Sequence, residues 1–228
     1  EVPSGERTGA VGDSIRRIEA VDKTLGAAMY ADDIHLPGML LGSAVRSAYP
    51  RAKLLSLDIS AAKAVPGVVA VFTAEDVPGA KKIGHLVQDY DVMIPVGGVT
   101  HFLGDAIALV VAKNADALEA GKAAVHAEYE PFDPILSPED ARKDGAPLVH
   151  PDRKDNLLSY QFVKRGNAYE VIKNSAHSVT THYSVPFTDH AFLEPECAVA
   201  EPEGDGVHIF SGDQGVYQTR KECAALLG

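Results

Sequence analysis

The sequence predicts an α+β fold. Over residues 39–130 the patterns run strand, strand, helix, strand, strand, helix, strand, which folds as strands backed by helices in one layered domain. Pro131, Pro134, Pro138, Pro147 and Pro151 then hold the chain extended and mark a crossover. Beyond it, a hairpin pattern and a closing helix begin a second α+β segment.

Residues 1–20 are polar and glycine-rich and read as an extended arm. Asp22 to Gly26 and Ala31 to Asp33 carry turn chemistry around a small apolar patch at 27–30. Pro37-Gly38 opens a strand over 39–46. In the next strand, 52–58, Leu55 and Leu57 fall on one face and Leu54 on the other. Asp58 or Ser60 caps a helix to Val65, which Pro66-Gly67 stops. Residues 68–72 are almost wholly apolar, as in a strand covered on both faces. Thr73-Ala74-Glu75-Asp76 reads as a capping turn, and 78–100 as a long irregular excursion. Residues 106–112 form the most apolar strand. Asn114 caps a helix to about Ala124, with Ala115, Leu118 and Ala123 toward a sheet. Val125, Ala127 and Tyr129 alternate with polar residues in a returning strand.

After the prolines, 159–164 reads as a short strand, Gly166-Asn167 as the cap of a helix over 168–175, and 178–185 as a β-branched strand. Residues 196–200 and 207–210 pair as a hairpin around a five-residue turn, 202–206. A helix from about Gly215 closes the chain, with Val216, Cys223 and Leu227 on one stripe and Leu226 beside it. Its apolar tail reads as cut, so the chain is expected to be a fragment.

Composition narrows the function classes. A formal net charge of −11 lacks the basic footprint of a nucleic-acid or anionic-membrane surface. No apolar run approaches a membrane span of about 20 residues. Two cysteines, Cys197 and Cys223, cannot by themselves hold an iron–sulfur or zinc cluster, and they suggest reduced thiols in the cytoplasm. A disulfide between them is the alternative to two buried thiols. Phosphate-loop, nucleophile-elbow, zinc-pair and Cys-x-x-Cys motifs are missing from the sequence.

The candidate chemistry gathers between Thr188 and Arg220. His190 and Glu194 would share a face of a helix, and Glu196 lies near; a histidine–carboxylate metal site competes there with a buried hydrogen-bonded network. Pro195 limits any such helix. Asp189 could be a general base, or simply cap a turn. Gln214 follows a strand and precedes a helix, where side chains face a cleft; a neutral amide there can hydrogen-bond an oxo or anionic group without adding charge. The alternative is a helix N-cap amide. The other histidines are scattered and read as surface or packing residues.

Residues 22–130 resemble the hammerhead-like α+β domain of the molybdenum hydroxylases, the xanthine dehydrogenase and aldehyde oxidase family. The matching segments include 26–33 (GAAMYADD), 45–52 (VRSAYPRA), 66–79 (PGVVAVFTAEDVPG), 102–112 (FLGDAIALVVA) and 125–130 (VHAEYE). From about residue 165 the chain is similar to the start of that family's molybdopterin-binding domain, through His190-x-x-x-Glu194-Pro195-Glu196 and Gln214-Gly215-x-x-x-x-Arg220. The resemblance implies an arm (1–21), a hammerhead-like domain (22–131), a crossover (132–164) and a truncated molybdopterin-binding segment (165–228).

It further implies a subunit that hydroxylates an electron-poor carbon of a purine-like heterocycle or an aldehyde, with oxygen from water. A molybdenum–pterin centre would take two electrons, and 2Fe-2S clusters and FAD on partner domains or subunits would pass them on within a homo-oligomeric complex. Gln214 matches the family's glutamine hydrogen-bonded to a terminal molybdenum ligand. The glycine-rich loop, substrate-binding arginine and late glutamate of the family are expected beyond Gly228, so these residues alone are expected to bind no cofactor and turn over no substrate. Where many relatives carry Gly-Asp before the 168–175 helix, this chain has Gly166-Asn167, and either residue caps. The competing expectation is a non-catalytic hammerhead module that completes a partner.

Overall fold

A computed structural model describes residues 11, 12 and 14–228, so most of the expected N-terminal arm lies outside the described residues. In chain order the elements are α1 (Ala20–Leu25), β1 (Leu41–Arg46), β2 (Ala52–Asp58), α2 (Ser60–Lys63), β3 (Val68–Phe72), β4 (Lys82–Ile83), β5 (Tyr90–Asp91), β6 (Ala106–Ala112) and α3 (Ala115–Ala123). They continue with β7 (His126–Pro131), α4 (Pro138–Ala141), α5 (Ala168–Lys173), β8 (Ala198–Glu203), β9 (Gly206–Ser211) and α6 (Val216–Leu227). The class is α+β, as the sequence predicts. None of the described helices is long and apolar enough to cross a membrane. The chain divides into two compact units, one of residues up to Met39 with Asp189–Val216, the other of Leu40–Thr188 with Tyr217–Gly228.

In the larger unit, β6 is the centre of a three-stranded antiparallel sheet in the order β1-β6-β3. Its apolar run is needed because both faces are covered. Ala108, Val110 and Ala112 point toward Ala62, Val71, Ala117 and Leu118, while Ile107 points to the other side, against Leu54 and Ile94. The expectation that 68–72 is likewise covered on both faces is corrected. β3 pairs only with β6, and as an edge strand it leaves Val69 and Phe72 exposed.

Helix α3 begins where Asn114 accepts a hydrogen bond from the Ala117 N–H at 2.9 Å. Its buried positions are Ala117, Leu118 and Gly121 rather than Ala115, Leu118 and Ala123. Gly121 turns the face: a Cβ there would lie 2.7 Å from Val68 Cγ2 and 2.9 Å from Val110 Cγ1, so the helix approaches the sheet closest where it has no side chain.

A second sheet pairs β2 with β7 antiparallel, with a bulge between Leu54 and Ser56. The bulge puts two residues where pleating expects one. Leu54 and Leu57 therefore both pack toward Ile94, and Leu55 alone is exposed, in place of the predicted Leu55/Leu57 face. Thr100, wholly buried, accepts from the Ala52 N–H at 2.9 Å and donates to the Tyr49 carbonyl at 3.1 Å. Asp105 is only 2% exposed; its carboxylate accepts the His101 and Phe102 N–H groups and fixes the turn into β6. Asp58 accepts from the Ser60 N–H at the start of α2. The expected capping turn is present, with Asp76 accepting from the Thr73 N–H at 2.7 Å and held below the usual carboxylate range by that bond. In the 78–100 excursion, β4 and β5 make one short pair.

The end of α6 docks on this unit. The Gly79 and Ala80 N–H groups donate to Leu226 and Ala225 carbonyls at 2.9 and 2.7 Å, so a loop caps the helix C-terminus. The half-buried positions of α6 include Thr219, Cys223 and Leu226, whereas Val216 and Leu227 are exposed, which rotates the predicted stripe. Neither 159–164 nor 178–185 forms a strand. Val179, Tyr183 and Val185 are 92%, 82% and 86% exposed, and among the described residues no backbone hydrogen bond joins 178–185 to another segment. A strand exists only through pairing, and among the described residues the alternating pattern there has no partner.

In the smaller unit, β8 and β9 form a hairpin whose turn is Gly204-Asp205, two residues rather than five. Gly204 has φ 61°, as a tight two-residue hairpin turn requires, and Pro202 keeps a place in the two-stranded ladder because an edge strand tolerates it. Beneath the hairpin lies the 31–33 turn, where the Asp33 carboxylate accepts from the Tyr30 N–H at 2.9 Å.

Gly121→Val should destabilise the protein by about 1–3 kcal/mol, the cost of overpacking a close helix–sheet contact. Urea unfolding would show a lower midpoint at unchanged slope; an unaltered midpoint would mean that α3 does not approach the sheet there.

Candidate functional site

The predicted site residues fall in the smaller unit, on either side of the β8–β9 hairpin. Over 189–197 the chain bends without forming a helix, so His190 and Glu194 do not share a helical face. Ala191 takes φ 48°, and its N–H donates to Asp189 Oδ1 at 2.6 Å; Asp189 thus anchors a turn. Among the described residues no three histidine, cysteine, aspartate or glutamate side chains gather in a geometry that could hold a metal ion.

Glu194 instead covers Gly212. A Cβ on Gly212 would sit 2.6 Å from the Glu194 carboxyl carbon, so the carboxylate lies against the backbone that leads to Gln214, and a side chain at 212 would require Glu194 to move. The following residue, Asp213, braces the turn at both ends. Its carboxylate accepts from the Ser211 hydroxyl at 3.1 Å and from the Gly215 N–H at 2.8 Å, just before α6 begins. Asp213, and not Gln214, therefore makes the hydrogen bond at the helix start. The Gln214 side chain is exposed, and among the described residues nothing bonds its amide. It offers two N–H donors and a carbonyl acceptor with no net charge. Those N–H donors suit contact with an oxo or other anionic ligand.

Sequence reasoning missed Asp213, although Asp two residues before Gly is a turn signal that could have found it. It also missed the company of Cys197. This half-buried free thiol lies beside Asp32; burial first, then the Asp32 charge and hydrogen bond, push its pKa up. Cys223 is likewise a free, half-buried thiol. Nor are all histidines scattered: in the larger unit His101 and His150 stack with ring centres 6.0 Å apart.

Residues 25–133 match the family model for the aldehyde oxidase and xanthine dehydrogenase a/b hammerhead domain, and residues 149–228 match that of the molybdopterin cofactor-binding domain. The chain is 34% identical to a probable xanthine dehydrogenase subunit from Bacillus subtilis over 90% of its length, spanning 27% of that protein. It is 29% identical to the nicotinate dehydrogenase large molybdopterin subunit of Eubacterium barkeri over 92% of its length, spanning 49% of that protein. Among solved structures, aldehyde oxidoreductase from Desulfovibrio gigas superposes with a TM-score of 0.76 at 26% identity, over 85% of this chain and 22% of that one.

The raised pKa of Cys197 leaves less thiolate at neutral pH. Alkylation by iodoacetamide at pH 7 should be slower at Cys197 than at glutathione, and Asp32→Asn should speed it, as read by mass spectrometry of the labelled peptide. Equal rates in both proteins would remove Asp32 as a cause.

Proposed function

The chain belongs to the aldehyde oxidase and xanthine dehydrogenase family of molybdenum oxidoreductases, and from that premise we propose that it is part of a hydroxylase acting on an electron-poor carbon of a purine-like heterocycle or an aldehyde, with oxygen from water. The names of two relatives, xanthine and nicotinate dehydrogenases, support a nitrogen heterocycle as substrate. The observation that carries a role for this chain is the exposed amide of Gln214, without a hydrogen bond among the described residues, on a turn braced by Asp213.

When bound, a molybdenum–pterin cofactor supplies the two-electron acceptor for such an oxidation. The part of this chain is to orient. Gln214 donates an N–H to an acceptor atom of the cofactor, fixing its direction without adding charge to the site. Asp213 holds the turn, and the Glu194 carboxylate lies against Gly212 just before it. The chain spans about a quarter to a half of the length of these relatives, and on this reading turnover draws on the rest of the enzyme as well. Iron–sulfur and flavin groups on other domains or subunits would carry the electrons away in a homo-oligomeric complex. Free thiols at Cys197 and Cys223 support a reducing, cytoplasmic setting.

In the intact enzyme, Gln214→Ala should lower turnover by about 10–100-fold, the usual effect of losing an outer partner of a metal site. Molybdenum content, pterin content and the thermal unfolding midpoint should stay as they are. Loss of cofactor would make the residue structural, and unchanged turnover would remove it from the site.

A further inference from the structure

We propose that the larger unit carries a separate binding site for a one- or two-ring aromatic carboxylate, in a cavity of about 420 Å³ beneath the proline-rich crossover. The proposal is independent of the molybdenum reading and uses none of its residues.

The cavity follows from strand pairing. β2 and β7 run antiparallel with Ala52 opposite Pro131, so the residues just outside the ladder, Arg51 and Phe132, become neighbours. The Phe132 N–H donates to the Arg51 carbonyl at 2.9 Å. Arg51 Nη1 donates to the Asp133 carbonyl at 3.0 Å, and its guanidinium lies 5.4 Å from the centre of the Phe132 ring. Phe102 forms a second wall, on the turn that buried Asp105 fixes. The roof is Leu136 with Leu148 and Val149. Asn156 secures it, accepting from the Val149 N–H and donating to the Ala141 and Pro147 carbonyls, each at 2.9 Å. Beside it, Asp89 approaches Arg153 at 3.6 Å and His150 at 3.9 Å, which ties 150–153 to the rest of the unit.

Size, polarity and charge select the ligand. The volume lies at the small end of the range for small-molecule pockets, about 300–1,000 Å³. Phe102, Leu136, Leu148 and Val149 line the cavity, and each leaves apolar surface exposed. Among the described residues, Arg51 is the only Lys, Arg, Asp or Glu side chain lining it, beside the imidazole of His101. One of the five guanidinium N–H groups is bonded to Asp133, and among the described residues no acidic side chain pairs with the others. A free guanidinium fork matches a carboxylate in two-point geometry, and aromatic walls accept a flat ring. A cationic ligand is repelled, and a purely apolar one leaves the guanidinium unused.

Titration calorimetry of the purified protein with 2-naphthoate tests this. Saturable binding at one site per chain is expected, at least ten-fold tighter than for the neutral 2-naphthalenemethanol. Arg51→Gln should reduce naphthoate affinity ten-fold or more, to that of the neutral probe. Leu136→Trp places an indole over the opening from a position that is 80% exposed, so it should abolish binding of both probes without lowering the unfolding midpoint. Should R51Q fail to fold, the ratio of the two probes on the unsubstituted protein, with L136W, decides the matter. No saturable binding, equal affinity for both probes, or naphthoate binding that survives L136W would overturn the site.

Discussion

A strand buried on both faces cannot leave its backbone N–H and C=O groups to water, so it must be paired on both edges. β6 meets that demand with β1 on one side and β3 on the other, and the larger unit is arranged around it. Its two faces create two cores: α2 and α3 cover one, and β2, β7 and Ile94 cover the other. What enters β6 is equally constrained. The buried Asp105 carboxylate exists to satisfy two N–H groups of the preceding turn, and the Arg46 guanidinium meets the Gly104 carbonyl of that turn at 2.6 Å. From this rigid frame the 99–102 wall and the 132–151 crossover hang as loops, and they enclose a cavity.

The smaller unit depends on turns rather than on a core. Among the described residues Ala31 and Val199 are its buried apolar side chains, and its turns are held by carboxylates that accept backbone N–H groups: Asp33, Asp189 and Asp213. Such turns are compact and set the backbone without consuming neighbouring side chains. Gln214 is presented by a turn of this kind. Functional side chains are commonly held on loops between regular elements, since there they can be oriented and remain accessible.

Local signals were legible in the sequence, and relations between distant segments were not. Asn114 and the Thr73–Asp76 turn are found where the residues demand them, because a cap is decided within four positions. β6 is unmistakable from its apolar run. A near-continuously apolar β3 proves to be an edge strand, since hydrophobicity does not record which strands pair. A bulge at Leu54 moves Leu57 to the other face, and a single glycine turns α3 about its axis. Residues 178–185 have the alternation of a strand, but strands are made by partners. The spacing of His190 and Glu194 implied contact only if a helix intervened, and Asp189 directs the chain into a turn instead. Gln214 stands out through family resemblance, whereas the cavity draws on four stretches separated by up to about a hundred positions and has no sequence signature.

The central claim is that this polypeptide serves a molybdenum–pterin centre rather than acting as a cofactor-free module. The most direct measurement is elemental and pterin analysis of the native full-length gene product, purified from its own host. About one molybdenum and one pterin per polypeptide is the predicted result. A folded, homogeneous protein that contains neither, both alone and in its native complex, would contradict it.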